Sequence, residues 1–147
     1  MKNEVSAGAI ICKQTRSSWE VLLIRDMKGI LTFPKGFMEK GEDIKQTAIR
    51  EAAEETGITD LMYQAELPDV SYFYTRNGQS IQKLVHYLLF LSENEHTLAP
   101  QVEEGITEIL WMPIEKALEV IGYTKSNTPV LIAAHTYLQH MKESTHI

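Results

Sequence analysis

One cysteine, Cys12, stands in 147 residues, so no internal disulfide can form. That fits a reducing compartment, and a cytoplasmic location is expected. No apolar stretch approaches the roughly 20 residues that cross a bilayer. Ala7 to Cys12, the longest near the N-terminus, ends at Lys13 and is also too short for the core of a secretion signal, so no membrane association is expected. Positive charge is scarce: 14 Lys and Arg stand against 20 Asp and Glu, for a formal net charge of −6. General nucleic-acid binders carry a basic surface, because their affinity comes largely from neutralising phosphates. Nucleic acid is therefore not expected as a partner. There is no repeat and no low-complexity tract. With 44% apolar and 23% charged residues the chain can bury a proper core, and residues 1–147 are expected to form one domain.

Short β-rich segments alternate with helical ones. Val5 to Lys13 and Glu20 to Arg25 predict two strands joined by a polar hairpin loop. Leu31 to Phe33 predicts a short extended piece that stops at Pro34, and Lys35 to Glu42 a loop with two glycines. Asp43, with Gln46 three residues later, opens a helix as a capping box, and Gly57 ends it. Leu61 to Leu67, Val70 to Arg76 and Ile81 to Leu91 predict strands, the last two flanking the turn signal Asn77-Gly78. Ile106 to Met112 is a further strand. Helices follow from Pro113 to about Ile121 and from Thr128 to Met141. This order predicts an α/β fold, a mixed central sheet with helices on both faces.

The segment Gly36 to Ile58, GFMEKGEDIKQTAIREAAEETGI, concentrates acid on one helix. At about 100° per residue, Glu51, Glu54 and Glu55 fall within an arc of roughly 100°. Ile49, Ala52, Ala53 and Thr56 lie on the other side, suited to packing on the sheet. Like charges so spaced destabilise a helix by a few tenths of a kcal/mol per pair, and Arg50 offsets one of them. A hard divalent cation offsets them better, because Mg²⁺ and Mn²⁺ take carboxylate oxygens. None of the five histidines pairs with a carboxylate at metal-ligand spacing.

The full pattern is Gly, five residues, Glu, seven residues, then Arg-Glu-apolar-any-Glu-Glu-any-Gly-apolar. At average residue frequencies it would arise in a chain of this length with a probability on the order of 10⁻⁷ to 10⁻⁸. This segment resembles the Nudix box at every constrained position, with Ala52 as a small residue at the apolar one. The resemblance implies a Nudix-type α/β/α sandwich and hydrolysis of a phosphate–phosphate bond in a nucleotide. It implies that Glu51, Glu54 and Glu55 hold Mg²⁺ or Mn²⁺, and that Glu42 and Arg50 form a structural ion pair. Gly36 would allow the tight loop beside the metal, and Gly57 the helix end. Such cations would also let an acidic protein meet an anionic substrate. The family's general base is expected in Glu54 or in a loop glutamate, here Glu103 or Glu104, with Glu104 slightly favoured.

Substrate choice lies outside the box. Phe33-Pro34-Lys35-Gly36 and the strand Lys83-Leu84-Val85-His86-Tyr87-Leu88 resemble segments of the diadenosine tetraphosphate hydrolase group. Lys35 and Lys83 are candidate phosphate contacts as point charges. Tyr87, a candidate hydrogen-bond partner of phosphate, shares a strand face with Lys83. Phe33, Tyr72, Tyr74 and Tyr123 are candidates for an aromatic slot that takes a base. The expected partner is a small nucleotide, and both monomer and homodimer are compatible. Asymmetric hydrolysis of diadenosine tetraphosphate to ATP and AMP leads. A nucleoside triphosphate or RNA 5′-end pyrophosphohydrolase is the second reading, and a nucleotide-sensing domain without catalysis the third.

Overall fold

A computed structural model describes residues 1–93 and 105–144. β1 (Lys2–Gln14), buried without a break from Ser6 to Cys12, runs through the middle of the sheet. It pairs antiparallel with β2 (Trp19–Arg25) and β4 (Lys35–Phe37), and parallel with β7 (Gln79–Leu91). β2 pairs with β3 (Leu31–Thr32) and with β8 (Glu108–Pro113). β7 pairs with β5 (Met62–Glu66) and, through the Asn77-Gly78 turn, with β6 (Val70–Arg76). The described residues thus form an eight-stranded mixed sheet.

The period-two alternation of strands divides the core into two layers. Ala7, Ala9, Ile11, Leu88 and Phe90 meet Ala48 and Ala52 of α1 (Ile44–Thr56) on one face. Ile10, Cys12, Val21, Leu23, Val85, Tyr87 and Leu89 face the other way. There they meet Ile114 and Ala117 of α2 (Ile114–Val120) and Val130, Leu131, Ala134 and Leu138 of α3 (Thr124–Ser144). This is the α/β/α sandwich that the order of elements predicts. No helix among the described residues is long and apolar enough to cross a membrane.

Two local readings change. Lys35–Phe37, expected as loop, is a strand, because Ser6 to Gly8 of β1 offer it a free edge. Lys-Gly-Phe carries no strand signal of its own, so the pairing comes from its neighbour. The last helix begins at Thr124, not at Thr128. The Ser126 and Asn127 amides both donate to the Tyr123 carbonyl, at 3.0 and 2.8 Å, and close the first turn before Pro129. Pro129, the sixth residue of the helix, has no N–H to give the Lys125 carbonyl, so the helix runs on with that one bond missing.

Candidate active site

Both ends of α1 are fixed locally. The Asp43 side chain accepts from the Gln46 amide at 2.7 Å, and Gln46 accepts from the Asp43 amide at 2.9 Å. Gly57 adopts φ 83°, and its N–H reaches the Ala53 carbonyl at 2.9 Å. The glutamates in between differ in a way that helical spacing does not show. Glu54 is exposed, whereas Glu51 and Glu55 are buried, 9% and 6% exposed. The apolar side packs on the sheet as expected, Ala52 in the core and Ile49 against it, but the acidic side is not uniformly exposed. β4 folds over this side of α1, with Gly36 against the Glu51 carboxylate. Gly36 makes that possible: a Cβ at Gly36 would coincide with the Glu51 carboxylate.

Arg50 engages several acids, not one. Its Nε and Nη2 donate to the two Glu42 oxygens at 2.7 and 3.0 Å. Nη2 also donates to the Phe37 carbonyl at 2.9 Å, and Nη1 to Glu51 Oε1 at 2.9 Å and Glu54 Oε2 at 3.2 Å. Glu39 lies at 3.5 Å. The planar fork with its five N–H groups permits this sharing. Glu42 also accepts from the Glu39 amide and the Thr47 hydroxyl. Arg50 first, then the Glu39 amide, holds the Glu42 carboxyl down to about 2. One guanidinium thus ties the loop before α1 to the helix.

As placed, Arg50 draws Glu51 and Glu54 towards Glu42, and Glu55 lies beside Lys35. Among the described residues no three His, Cys, Asp or Glu side chains converge enough to enclose a metal. The donors nevertheless suit one. Glu51 and Glu55, one turn apart and both buried, offer hard oxygens of like charge at a backbone that glycine keeps open. Glu103 and Glu104 lie outside the described residues.

Beside Glu55 opens a cavity of about 520 Å³. Lys35 and Glu55 are among the residues that line it. Phe33, Tyr72, Tyr87 and Tyr123 contribute aromatic walls, and Asp26, Thr32, Ser126 and Asn127 polar ones. Lys35 sits here because of a row across the sheet, in which Gly8 of β1 lies between Lys35 of β4 and Tyr87 of β7. A Cβ at Gly8 would lie 2.7 Å from the Tyr87 ring and 3.0 Å from Lys35 Cβ. A glycine inside a strand often marks such a close approach. The Tyr87 ring meets Phe33 edge-on, with centroids 5.8 Å apart, and burial pushes its phenol pKa up. Burial also lowers Lys35, against the attraction of Glu55, Asp26 and Glu51.

Lys83 shares the sheet face of Tyr87 but does not line the cavity. Its Nζ sits 4.1 Å from the centre of the Phe37 ring. Burial first, then repulsion from Lys35, push its pKa down to about 8. Tyr74 is not part of the aromatic slot either. Its hydroxyl donates to Glu4, which also pairs with Arg76. Asp26, Thr32 and Asn127 escape sequence reasoning. Asp26 reads as a turn residue and Asn127 as the residue before a helix, and nothing in the pattern brings them together.

The NUDIX domain family model matches residues 2–132 of this chain. The chain belongs to the Nudix family. Its Nudix domain is similar, at 35% identity over 128 residues, to a protein named MutT4 of Mycobacterium tuberculosis, in an alignment covering 82% of this chain and 50% of that protein. The chain thus spans about half the length of that relative. It is 28% identical over 145 residues to the ADP-ribose pyrophosphatase of Bacillus subtilis, covering 93% of this chain and 74% of that one. Among solved structures, an Ap4A hydrolase of C. elegans in a binary complex superposes with a TM-score of 0.77 at 26% identity, over 93% of this chain and 98% of that one.

Proposed function

We propose that this Nudix domain hydrolyses a phosphate–phosphate bond in a nucleoside diphosphate derivative, and that diadenosine tetraphosphate, cut to ATP and AMP, is the substrate it fits best. One observation carries the reading: Lys35 and Glu55 line the same cavity as the aromatic rings, so a ring held in it brings its phosphates to the carboxylate helix. Its volume lies in the range of small-molecule sites. The family relationship and the likeness to the C. elegans Ap4A hydrolase support the reaction class.

Each residue then has a task. Lys35, lining the cavity, meets the first phosphates. Lys83, near enough to Lys35 to lower its own pKa, extends the positive charge along the sheet. That extension suits a phosphate chain longer than a diphosphate. Glu51 and Glu55, with Glu54, would hold Mg²⁺ or Mn²⁺, which when bound supplies positive charge to the phosphates and makes water more acidic. Glu54, the exposed carboxylate of the three, takes the proton as water adds to phosphorus and the bond to the leaving phosphate breaks. Glu104 is the alternative base. Arg50 and Glu42 keep the loop on the helix during this step.

The name of the Bacillus subtilis relative favours ADP-ribose as a second substrate. Product analysis separates the readings. With Mg²⁺ present, ATP and AMP released from diadenosine tetraphosphate, faster than any product from ADP-ribose or a nucleoside triphosphate, is the expected outcome. AMP and ribose 5-phosphate as the fastest products would replace the substrate, and pyrophosphate release would favour the triphosphate reading. Activity that survives EDTA would remove the metal from the proposal.

The pKa of Lys83 gives a pH dependence with a definite sign. Folding lowers it from 10.5 to about 8, so the charge is present below about 8 and lost above. Phosphate binding through Lys83 should therefore fade as pH rises through 8. kcat/KM, which reports the free enzyme, should fall there while kcat changes less. Between about 8 and 10.5 the unfolded chain binds the extra proton, so this group's contribution to stability rises with pH. Lys83→Met should flatten the alkaline limb of kcat/KM, and a limb unchanged in that variant would assign it to another group.

A further inference from the structure

One wall of the cavity carries an amide whose orientation is locked. Asn127, on the first turn of α3 and 2% exposed, donates from Nδ2 to Thr32 Oγ1 at 3.0 Å and to the Gly122 carbonyl at 2.9 Å. A carbonyl only accepts, so the nitrogen must be the atom facing Gly122. Both amide protons are thereby committed to the protein, and Oδ1 is the polar atom that Asn127 has left for the cavity it lines. Turning the amide over would set Oδ1 against the Gly122 carbonyl and lose that bond, and because the Thr32 hydroxyl can donate as well as accept, it is the Gly122 carbonyl that fixes the orientation. Asp26, on the same cavity, is equally committed as an acceptor. Its Oδ1 takes the Lys28 and Ile30 amides at 2.9 and 3.0 Å, and its Oδ2 the Tyr123 hydroxyl at 2.6 Å. The cavity therefore presents fixed oxygens among its aromatic walls, beside the lysine that lines it.

We propose that Asn127 is a specificity-determining residue, whose Oδ1 accepts a hydrogen bond from the exocyclic amino group of the ring in the cavity and so selects a 6-amino purine over its 6-oxo counterpart. The inference rests on the reading that a nucleotide base enters this cavity, and it adds the chemistry of that base and the atom that reads it. A 6-oxo ring would bring its carbonyl against Oδ1, acceptor to acceptor. The locked amide cannot flip to repair the mismatch, and an unmatched buried polar pair is what gives such sites their discrimination. Thr32 acts through Asn127 as a positioning residue, because its Oγ1 holds one amide proton.

The test is calorimetric titration of the whole chain in EDTA with AMP, IMP and purine riboside 5′-monophosphate, which has no group at the 6-position. AMP is expected to bind about tenfold tighter than IMP, with the unsubstituted purine between them. In Asn127→Ala the AMP to IMP ratio should fall close to one. In Thr32→Val it should fall part of the way. Equal binding of AMP and IMP by the wild type, or an unchanged ratio in Asn127→Ala, overturns the assignment. Should Asn127→Ala fail to fold, the wild-type series and Thr32→Val still decide. Hydrolysis of nucleotides without base preference would sink this inference alone. A chain that binds none of the three ligands and hydrolyses no nucleotide would sink the nucleotide reading with it.

Discussion

Gly36→Ala is expected to cut hydrolysis on the order of 100-fold while the fold survives, because misplacing a reacting constellation by about 1 Å costs that much. The added methyl would occupy the space of the Glu51 carboxylate. The displaced group is the end of a side chain and not backbone, and Gly36 lies in a strand, so alanine is conformationally admissible. The protein can therefore yield by moving Glu51. But Glu51 is almost fully buried and its Oε1 is held by Arg50 at 2.9 Å, so it has no second position of equal quality. Steady-state kinetics beside a thermal melt is the measurement. A melting point within a few degrees of wild type with strongly reduced kcat/KM is the expected pair. Full activity would show that the approach of Gly36 to Glu51 is irrelevant to the reaction, and a chain that no longer folds would make this glycine structural only.

The double substitution Glu51→Gln with Glu55→Gln is expected to lower kcat on the order of 1000-fold or more, and also to abolish a thermal effect of Mg²⁺. A ligand that binds only the folded state stabilises it by about 2.7 kcal/mol at 100 times its dissociation constant. For a chain of this size that amounts to several degrees in melting temperature. The wild type should show this rise as Mg²⁺ is titrated without substrate, and the double variant should not. Glutamine keeps the shape of glutamate and removes the charge, so the comparison isolates electrostatics from packing. If the double variant keeps the Mg²⁺-dependent rise, the ion sits elsewhere and the roles given to Glu51 and Glu55 are wrong.

Helix α1 shows how far spacing can be read. Asp43 with Gln46, and Gly57 after Thr56, mark both of its ends, because capping is local hydrogen bonding between residues a few positions apart. The angular arc of Glu51, Glu54 and Glu55 follows from 3.6 residues per turn. Which of them is buried does not, because that depends on β4, a strand without strand-like residues held in place by β1. Arg50 repeats the point. Its pairing with Glu42 is legible from the box, but its contacts to Glu51, Glu54, Glu39 and the Phe37 carbonyl need the loop's path in space.

The cavity divides in the same way. Lys35 and the aromatic candidates Phe33, Tyr72 and Tyr123 stand out by type, whereas Tyr74, of the same type, belongs to Glu4 and Arg76 outside it. Asp26, Thr32 and Asn127 come from a turn, a two-residue strand and a helix start, with Thr32 and Asn127 95 positions apart in the chain. Short-range physics therefore reaches the chain from its sequence alone: the period of strands, the turn of the helix, its caps, and the repulsion of like charges that calls for a cation. Long-range packing sets the rest. Where β4 meets α1 and where α3 docks on the sheet decide which carboxylates are buried, which lysine faces the cavity and which oxygens line it. Those choices depend on contacts between segments that no local pattern connects.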